Sequence, residues 1–235
     1  MKTKNLIFGV AMLSLVLVSC SKKDEPASSV INPLSNDGTL NGLVSNGDAL
    51  NSTIDSVFFS IYHPTTHKTI YFWKVAFKNG GFSTLLPALP DNYLGTVTSV
   101  YSNFSNSYGS GAFTISDATV LLTNNVNIEA WKNNIQGASF YRTNVTLAQT
   151  LEPSPKEGYS VAYFCYSNKA VQIIGTESDK RSTGETYTKT INLSLKKGWN
   201  EIVETYTSTT ATDLKSSVSA NNEVTGTQWL LAQGS

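Results

Sequence analysis

The fold is decided by residues 57–86, which read VFFSIYHPTTHKTIYFWKVAFKNGGFSTLL. In Val57–Tyr62 every second side chain falls on the same face, which is the two-residue period of a β-strand. After a turn, Thr69–Phe77 is a second run rich in aromatic and β-branched residues, the types that favour strands. Asn79-Gly80-Gly81 can adopt the positive φ angles of a tight reversal before Phe82–Leu86. The stretch therefore predicts a three-stranded meander.

The same strand pattern continues along the chain, with loops rich in Ser, Asn and Gly between the runs. Further strands are predicted at Tyr93–Tyr101, Ala112–Ile115, Thr119–Leu122, Val126–Trp131, Ala138–Thr143, Tyr159–Tyr166, Ala170–Thr176, Thr186–Leu195, Asn200–Thr207 and Val224–Leu231. Short strands with turns about every 8 to 12 residues are typical of an antiparallel β-sandwich or barrel-like domain. We expect one all-β unit over residues 38–235, with a division near residue 105 as the alternative.

The charge of the chain argues against nucleic acid as a partner. The chain has 235 residues with 17 basic and 17 acidic side chains, and 77 of its residues are Ser, Thr or Asn. Small polar residues therefore supply much of the solubility, and long surface helices built on Glu and Lys are not expected. Binding to nucleic acid depends on clustered Lys and Arg, which the body of this chain lacks.

Residues 1–19 have the organisation of a secretory signal peptide. Lys2 and Lys4 precede an apolar run of 13 residues, Leu6–Val18. A helix needs about 20 apolar residues to cross a bilayer, so this run is too short for a membrane span. We expect the signal peptide to be removed. Residues 20–37 are expected to form a flexible tether, because they are polar and lack apolar periodicity.

The cleavage region carries a more specific signal. Leu17-Val18-Ser19-Cys20 resembles the lipobox of bacterial lipoproteins, which implies that Cys20 is lipidated and becomes the mature N-terminus. Several acyl chains, at about 0.8 kcal/mol per buried CH₂, hold a soluble domain durably on a membrane. Lys23, Asp24 and Glu25 resemble the signal that exports lipoproteins of Bacteroidota to the cell surface. We therefore expect an outer-membrane protein at the cell surface, with a periplasm-facing anchor as the alternative.

Two further segments extend this resemblance. Residues 170–207 show the order strand, Gly-Thr, polar loop, strand, LKKGWN at 195–200, strand. This order, together with a glycine turn and Leu85-Leu86-Pro87 within residues 80–94, is similar to uncharacterised outer-membrane lipoproteins of Bacteroidota. The resemblance implies an envelope lipoprotein with a β-rich body, and it carries over no functional residue. From its own residues, LKKGWN predicts a hairpin in which Gly198 takes a positive φ.

Histidine and cysteine show no catalytic or metal-binding pattern. Besides the anchor, the predicted mature chain has a single cysteine, Cys165, whose aromatic and β-branched neighbours predict a buried, inert thiol. His63 and His67 are the only histidines, and Pro64 between them predicts a turn rather than one helix face. A metal site needs three or four converging ligands. We therefore expect neither a metal nor another cofactor.

Carboxylates offer a second route to catalysis. Glycoside hydrolysis needs two carboxyl groups about 5 to 9.5 Å apart, and these can come from residues remote in sequence. The candidates are Asp91, Asp117, Glu129, Glu201 and Glu204. Glu201 and Glu204 are three apart on a predicted strand and should face opposite sides. No pair stands out, and we expect a protein without enzymatic activity.

The aromatic residues indicate a ligand class. Trp73 and Trp131 lie within apolar alternation and are expected in the core, whereas Trp199 and Tyr206 are expected to be exposed. Exposed rings on a β-sandwich can stack on sugar faces. The leading hypothesis is a membrane-anchored, non-enzymatic accessory or interaction protein of the envelope. The alternatives are a surface glycan-binding module that stacks sugars on Trp199 and Tyr206, and third, a carboxylate-dependent glycoside hydrolase.

Overall fold

The computed structural model describes residues 34–101, 109–123, 125–146, 149, 155–180, 184–210, 212–220 and 227–233. The described body consists mainly of short strands. The strands are β1 (Thr39–Leu43), β2 (Ser56–Tyr62), β3 (Thr69–Ala76), β4 (Gly81–Leu85), β5 (Gly95–Thr96), β6 (Gly109–Ile115), β7 (Leu121–Leu122), β8 (Asn127–Lys132), β9 (Ile135–Thr143), β10 (Ser160–Ser167), β11 (Val171–Lys180), β12 (Thr186–Leu195), β13 (Gly198–Thr209), β14 (Asp213–Ala220) and β15 (Gln228–Gln233). Helical structure in the described part comprises α1 (Val97–Tyr101) and two 3-10 helices, Gly47–Leu50 and Asp91–Tyr93.

Two sheets organise these strands. β1 and β4 form a small antiparallel sheet, and a large sheet has the order β3-β2-β8-β9-β10-β13-β14-β12-β11-β6. β15 pairs with β9, and β7 pairs with both β5 and β10. β12 and β14 run parallel, which makes the large sheet mixed. β2 precedes residue 105 and β8 follows it, and the two strands pair directly, so one sheet draws on both sides of that position.

The first hydrophobic cluster, core one, lies where the large sheet folds over on itself. Phe72 of β3 stacks on Trp199 of β13 with ring centroids 5.7 Å apart, although four strands separate β3 from β13 in the sheet order. Phe164 of β10 stacks on Trp229 of β15 at 5.9 Å, and β4 contributes Phe82 to the same cluster. Facing layers of strands around a shared apolar interior define a sandwich-like all-β fold, which confirms the predicted class.

The large sheet is also buried on its second face. Every residue of β13 from Trp199 to Glu204 is buried, which requires cover on both sides because successive side chains alternate. Trp199 belongs to core one, whereas Ile202 belongs to a second cluster, core two, together with Cys165. α1 and β7 supply further residues of core two. The middle of the sheet is therefore an interior layer.

Most predicted strands are present, with shifts at their ends, but the meander is wrong. β2 and β3 pair as expected, whereas β4 pairs with β1 in the small sheet. Gly42 of β1 permits this pairing, because a Cβ there would come within 2.2 Å of the Phe82 ring. The predicted set also lacks β1 and β14, whose sequences TLNGL and DLKSSVSA carry few strand-favouring residues.

The strand predicted at Tyr93–Tyr101 is wrong. This segment contains the end of a 3-10 helix, the two-residue strand β5 and helix α1. Val97 and Val100 are three residues apart and both lie in core two, which is the spacing of one helix face rather than of a strand. Thr96 caps the helix, because its Oγ1 accepts the Ser99 N–H at 3.2 Å.

The LKKGWN segment has the predicted backbone but a different pairing. Gly198 has a φ of 98°, as expected. The hairpin is wrong, because β14 lies between β12 and β13 in the sheet order. The buried amide of Asn200 closes the turn instead. Its Oδ1 accepts the Lys196 N–H at 2.9 Å, and its Nδ2 donates to the carbonyls of Lys196 and Gly198 at 2.9 Å each.

We expect Asn200→Ala to lower the free energy of unfolding by about 2 to 3 kcal/mol, because buried backbone groups lose their hydrogen-bond partners. Urea denaturation measures this change. Asn192→Ala, on the exposed side of β12, is the matched control and should shift the free energy by less than about 0.5 kcal/mol. Equal stability of the two variants would contradict the role of Asn200 as the closure of this turn.

Candidate binding face

Three aromatic side chains share the outer face of β2, β3 and β8, which is the face opposite core one. The alternate residues of β2 belong to core one, so Phe58 points outward. Its cross-strand partners are Lys74 on β3 and Glu129 on β8. Tyr71 and Trp131 flank it with ring centroids 6.0 and 4.5 Å away, and their own centroids are 5.8 Å apart. Phe58, Tyr71 and Trp131 are referred to below as the aromatic platform.

A buried carboxylate holds the platform in place. Glu129 is 5% exposed. Its Oε1 accepts the Ser60 hydroxyl at 2.9 Å. Its Oε2 accepts the Tyr71 hydroxyl at 3.2 Å and the Trp131 indole N–H at 3.1 Å. Burial and the neighbouring Glu129 charge raise the pKa of Tyr71, so this hydroxyl remains a donor. The polar edges of both rings are therefore turned toward the carboxylate.

The three rings differ in how much surface they leave open. Tyr71 is 47% exposed, while Phe58 and Trp131 are partly buried. The Lys74 ammonium lies 4.8 Å from the centroid of Phe58 and covers that ring in a cation–π contact. Tyr71 consequently provides most of the open ring surface. Rigid aromatic side chains of this kind offer contact area at a low cost in conformational entropy.

A polar row crosses the second face beside core two. Strand register aligns Glu177 on β11 with Lys189 on β12, and Lys189 with Ser216 on β14. Ser216 is in turn aligned with Tyr206 on β13. Tyr206 stacks on Tyr159, the residue before β10, with ring centroids 5.5 Å apart. One line of polar side chains thus runs across β11, β12, β14 and β13 and ends at Tyr159.

Glu204 is the centre of a buried charge network next to this row. Glu204 is 7% and Lys189 8% exposed. The Lys189 Nζ lies 3.3 Å from the Glu204 Oε2, and the Ser216 hydroxyl donates to Oε1 at 2.8 Å. The Tyr187 hydroxyl also donates to Oε1, and burial raises the pKa of Tyr187 so that it keeps its proton. These donors offset the free-energy cost of burying the Glu204 carboxylate, which therefore has a structural role.

Glu177 is buried without such support. It is 7% exposed, and within the described part of the chain no hydrogen bond reaches its carboxylate. Burial raises the pKa of Glu177, the charge of Lys189 opposes this rise, and the charges of Asp179 and Glu204 reinforce it. The folded protein therefore favours the protonated form of this side chain more than the unfolded chain does.

Glu201 is paired on the core-one side of β13. Glu201 and Arg142 are each 5% exposed, and the Arg142 guanidinium donates to the Glu201 Oε1. The partners of Glu204 lie on the other face, which confirms that Glu201 and Glu204 point to opposite sides. Removing one partner of such a buried pair leaves an uncompensated charge. Glu201 therefore depends on Arg142, and Glu204 depends on Lys189.

The candidate carboxylates are not brought together. Asp91 is exposed and accepts the Asn168 amide at 3.1 Å, and the partly buried Asp117 pairs with Lys169 at 3.5 Å. The remaining three, Glu129, Glu201 and Glu204, belong to the three separate networks described above. Each of these three carboxylates accepts hydrogen bonds from side chains on other strands.

The expected exposure of Trp199 is wrong. Its ring is 5% exposed and stacked on Phe72, and its indole N–H donates to the Pro87 carbonyl at 2.9 Å. The physical reason is that β13 is covered on both faces, so a turn-adjacent residue has no open side. Tyr206, also expected to be exposed, is partly buried and stacks with both Tyr159 and Tyr187.

The two tryptophans expected in the core are also placed differently. Trp73 is 39% exposed, because a register shift after Phe59 pairs Phe59 with Trp73 and Ser60 with Tyr71. Trp131 is partly buried in the aromatic platform on the outer face. Sequence reasoning missed the platform, although the outward positions of β2 and β3 carried its signal in the alternation around residue 58.

The structure confirms the buried thiol of Cys165 and the turn at His63. Cys165 is 2% exposed, and burial raises the pKa of its thiol to about 12, which confirms a buried cysteine. His63 lies in the predicted turn, where its Nδ1 accepts the N–H groups of Thr65 and Thr66 at 3.1 and 3.0 Å. Among the described residues, no group of three or more His, Cys, Asp or Glu side chains is arranged to hold a metal ion.

The predicted lipidation site and export signal, Cys20 with Lys23, Asp24 and Glu25, lie outside the described residues. Within the described ranges, none of the helices combines the length and the apolar content that a membrane crossing requires. Comparison of the chain with protein-family models, curated proteins and solved structures found no match.

We expect Glu177→Gln to be more stable than the wild type at neutral pH, because the amide removes a charge that burial disfavours. A carboxyl whose pKa is raised on folding stabilises the fold below its unfolded pKa, and this contribution is lost as pH rises through the folded pKa. The advantage of the variant should therefore be near zero at about pH 4 and grow above the ordinary pKa of 4.5.

Urea denaturation at about pH 4 and about pH 7.5 measures this difference. Glu157→Gln, at an exposed position before β10, is the matched control and should show no growth with pH. A Glu177→Gln variant that is less stable than the wild type at neutral pH would contradict the burial argument.

Proposed function

We propose that this protein is a lipid-anchored, non-enzymatic lipoprotein of the outer membrane that serves as an accessory or interaction protein at the cell surface. The lipobox-like Leu17-Val18-Ser19-Cys20 supports the anchor, and the following Lys23, Asp24 and Glu25 support the surface address. The observation that carries the binding role is the aromatic platform, an exposed ring surface whose geometry Glu129 fixes.

The state of the buried carboxylates favours binding over catalysis. A general acid or base must reach a substrate proton directly or through one water. Glu129, Glu201 and Glu204 are buried and accept hydrogen bonds from neighbouring side chains. Internal donors already hold each of these carboxylates, and this supports a structural use of all three.

The platform suits a binding role for two physical reasons. Aromatic rings bring a large apolar area in a rigid side chain, and such residues dominate the energetics of binding surfaces. A lipid anchor also confines the domain to the membrane surface, where the local concentration of envelope partners is high. Anchor and platform together describe a protein that holds a partner at the envelope.

We expect Cys20→Ser to abolish incorporation of radiolabelled palmitate and to release the protein from the membrane fraction, because the acyl-accepting thiol is lost. Cys165→Ala is the matched control, and it should keep both label and membrane association because Cys165 lies buried in core two. Label in the Cys20→Ser protein, or no label in the wild type, would contradict the anchor.

Protease treatment of intact cells that express the wild type tests whether the β domain is displayed at the cell surface. The β domain of the wild type should be digested while a periplasmic marker protein stays intact. Protection of the β domain under these conditions would overturn surface display in favour of the periplasm-facing orientation.

A further inference from the structure

We propose that the aromatic platform binds a neutral hexopyranose chain, with the half-exposed ring of Tyr71 stacked on an apolar face of the sugar. This inference rests on the proposed binding function and names the ligand class of the same site. A pyranose with equatorial hydroxyls directs its axial C–H bonds to two flat faces and its hydroxyls to the rim. The matching protein surface is an open aromatic ring with hydrogen-bonding groups around it.

The platform is organised before any ligand arrives. Tyr71 and Trp131 donate to the same Glu129 oxygen at 3.2 and 3.1 Å, and the rings lie nearly perpendicular to each other at 90°. The hydroxyl and the indole N–H therefore cannot rotate toward a ligand without breaking these bonds. Ordering side chains on binding costs free energy, and rings that are already fixed avoid much of that cost.

The same hydrogen bonds determine which surface the rings present. The Tyr71 hydroxyl and the Trp131 indole N–H are hydrogen-bonded to Glu129. The part of the Tyr71 side chain that faces solvent is therefore mainly its apolar ring. Phe58 completes the patch, although Lys74 covers its face. A ligand gains most here from stacking against the open Tyr71 ring rather than from hydrogen bonds to the polar atoms of the platform.

Uncharged polar side chains form the rim of this patch. Gln136 on β9 is aligned with Trp131, and Ser139 is aligned with Glu129. Asn127, two residues before Glu129 on β8, shares the same outward face and is exposed, as is Gln136. Amide and hydroxyl groups both donate and accept hydrogen bonds, as do the hydroxyls at the edge of a sugar ring.

The charges of the platform also favour a neutral ligand. The Glu129 carboxylate is buried and saturated by three donors, and the Lys74 ammonium rests against Phe58. The carboxylate therefore offers no free charge to a basic peptide, and the exposed Lys74 ammonium is held between the Phe58 ring and the Asn134 amide oxygen, 3.5 Å away. A neutral glycan matches the patch in charge as well as in shape.

The size of the patch favours a glycan over a second copy of the chain. Its open area consists of one half-exposed tyrosine and the outer part of a partly buried tryptophan. A stable protein–protein interface needs about 800 Å² from each partner, which is several times the area of two side chains. One or two sugar rings fit a surface of this extent.

Isothermal titration calorimetry of the full-length lipidated protein in detergent micelles tests the inference, with cellohexaose as the probe. We expect the wild type to bind and Tyr71→Ala to bind about tenfold more weakly, because the main stacking ring is lost. Tyr71→Phe keeps the ring and should bind within about threefold of the wild type. Circular dichroism verifies that each variant is folded.

Tyr141→Ala is the matched control for the loss of an exposed tyrosine. Tyr141 is 49% exposed on β9, and it is not among the rings in contact with the platform. Its removal should leave the affinity within about twofold of the wild type. Equal losses in Tyr71→Ala and Tyr141→Ala would overturn the assignment of the ligand to the platform.

The remaining outcomes separate the glycan from the broader binding function. The absence of heat with cellohexaose up to millimolar concentration, or unchanged affinity in Tyr71→Ala, would overturn the glycan inference. Sedimentation as a dimer that Tyr71→Ala dissociates would overturn it as well, by assigning the platform to a second copy, while the proposed binding function would stand. Release of reducing ends from cellohexaose by the wild type would instead contradict the non-enzymatic role.

Discussion

Cover on both faces of the large sheet is the constraint on which the arrangement of its charged residues depends. The run Trp199–Glu204 of β13 has no exposed side, so its two acids are buried on opposite faces. Each acid then requires a cation from another strand, Arg142 for Glu201 and Lys189 for Glu204. A one-residue slip in register would exchange the faces and separate both pairs. The ion pairs therefore oppose such slips in a strand whose apolar residues alone would tolerate them.

The second face of the large sheet is covered at one end and open to solvent at the other. Beside β10, β13 and β14 the face is closed over core two and the polar row. On β2, β3 and β8 the corresponding outer face carries Phe58, Tyr71 and Trp131, with Tyr71 open to solvent. On this outer face, hydrogen bonds to Glu129 hold the aromatic side chains in place, as packing does in the cores. The platform is consequently both rigid and exposed, which is the combination that a preorganised binding surface requires.

Local patterns predicted the features that depend on local geometry. Period-two alternation located most strands and the all-β class, and Gly198 was predictable because a positive φ favours glycine at its own position. The exposure of the tryptophan side chains was not predictable, since it depends on which strands face each other in the folded protein. Trp199 meets Phe72 across core one, and Trp73 is displaced by a bulge. The role of Glu129 was likewise hidden, because its donors converge from three strands.

Hydroxyl-radical footprinting with mass spectrometry on the full-length protein measures the accessibility of these aromatic side chains in one experiment. Cover on both faces of β13 predicts that Trp199 and Trp229, each 5% exposed, stay unmodified until denaturant unfolds the chain. Tyr71 at 47% and Trp73 at 39% exposure should be oxidised rapidly in the folded protein. Rapid oxidation of Trp199 together with protection of Tyr71 would contradict the account, because the ring assigned to the interior would then be at the surface and the ring assigned to binding would be covered.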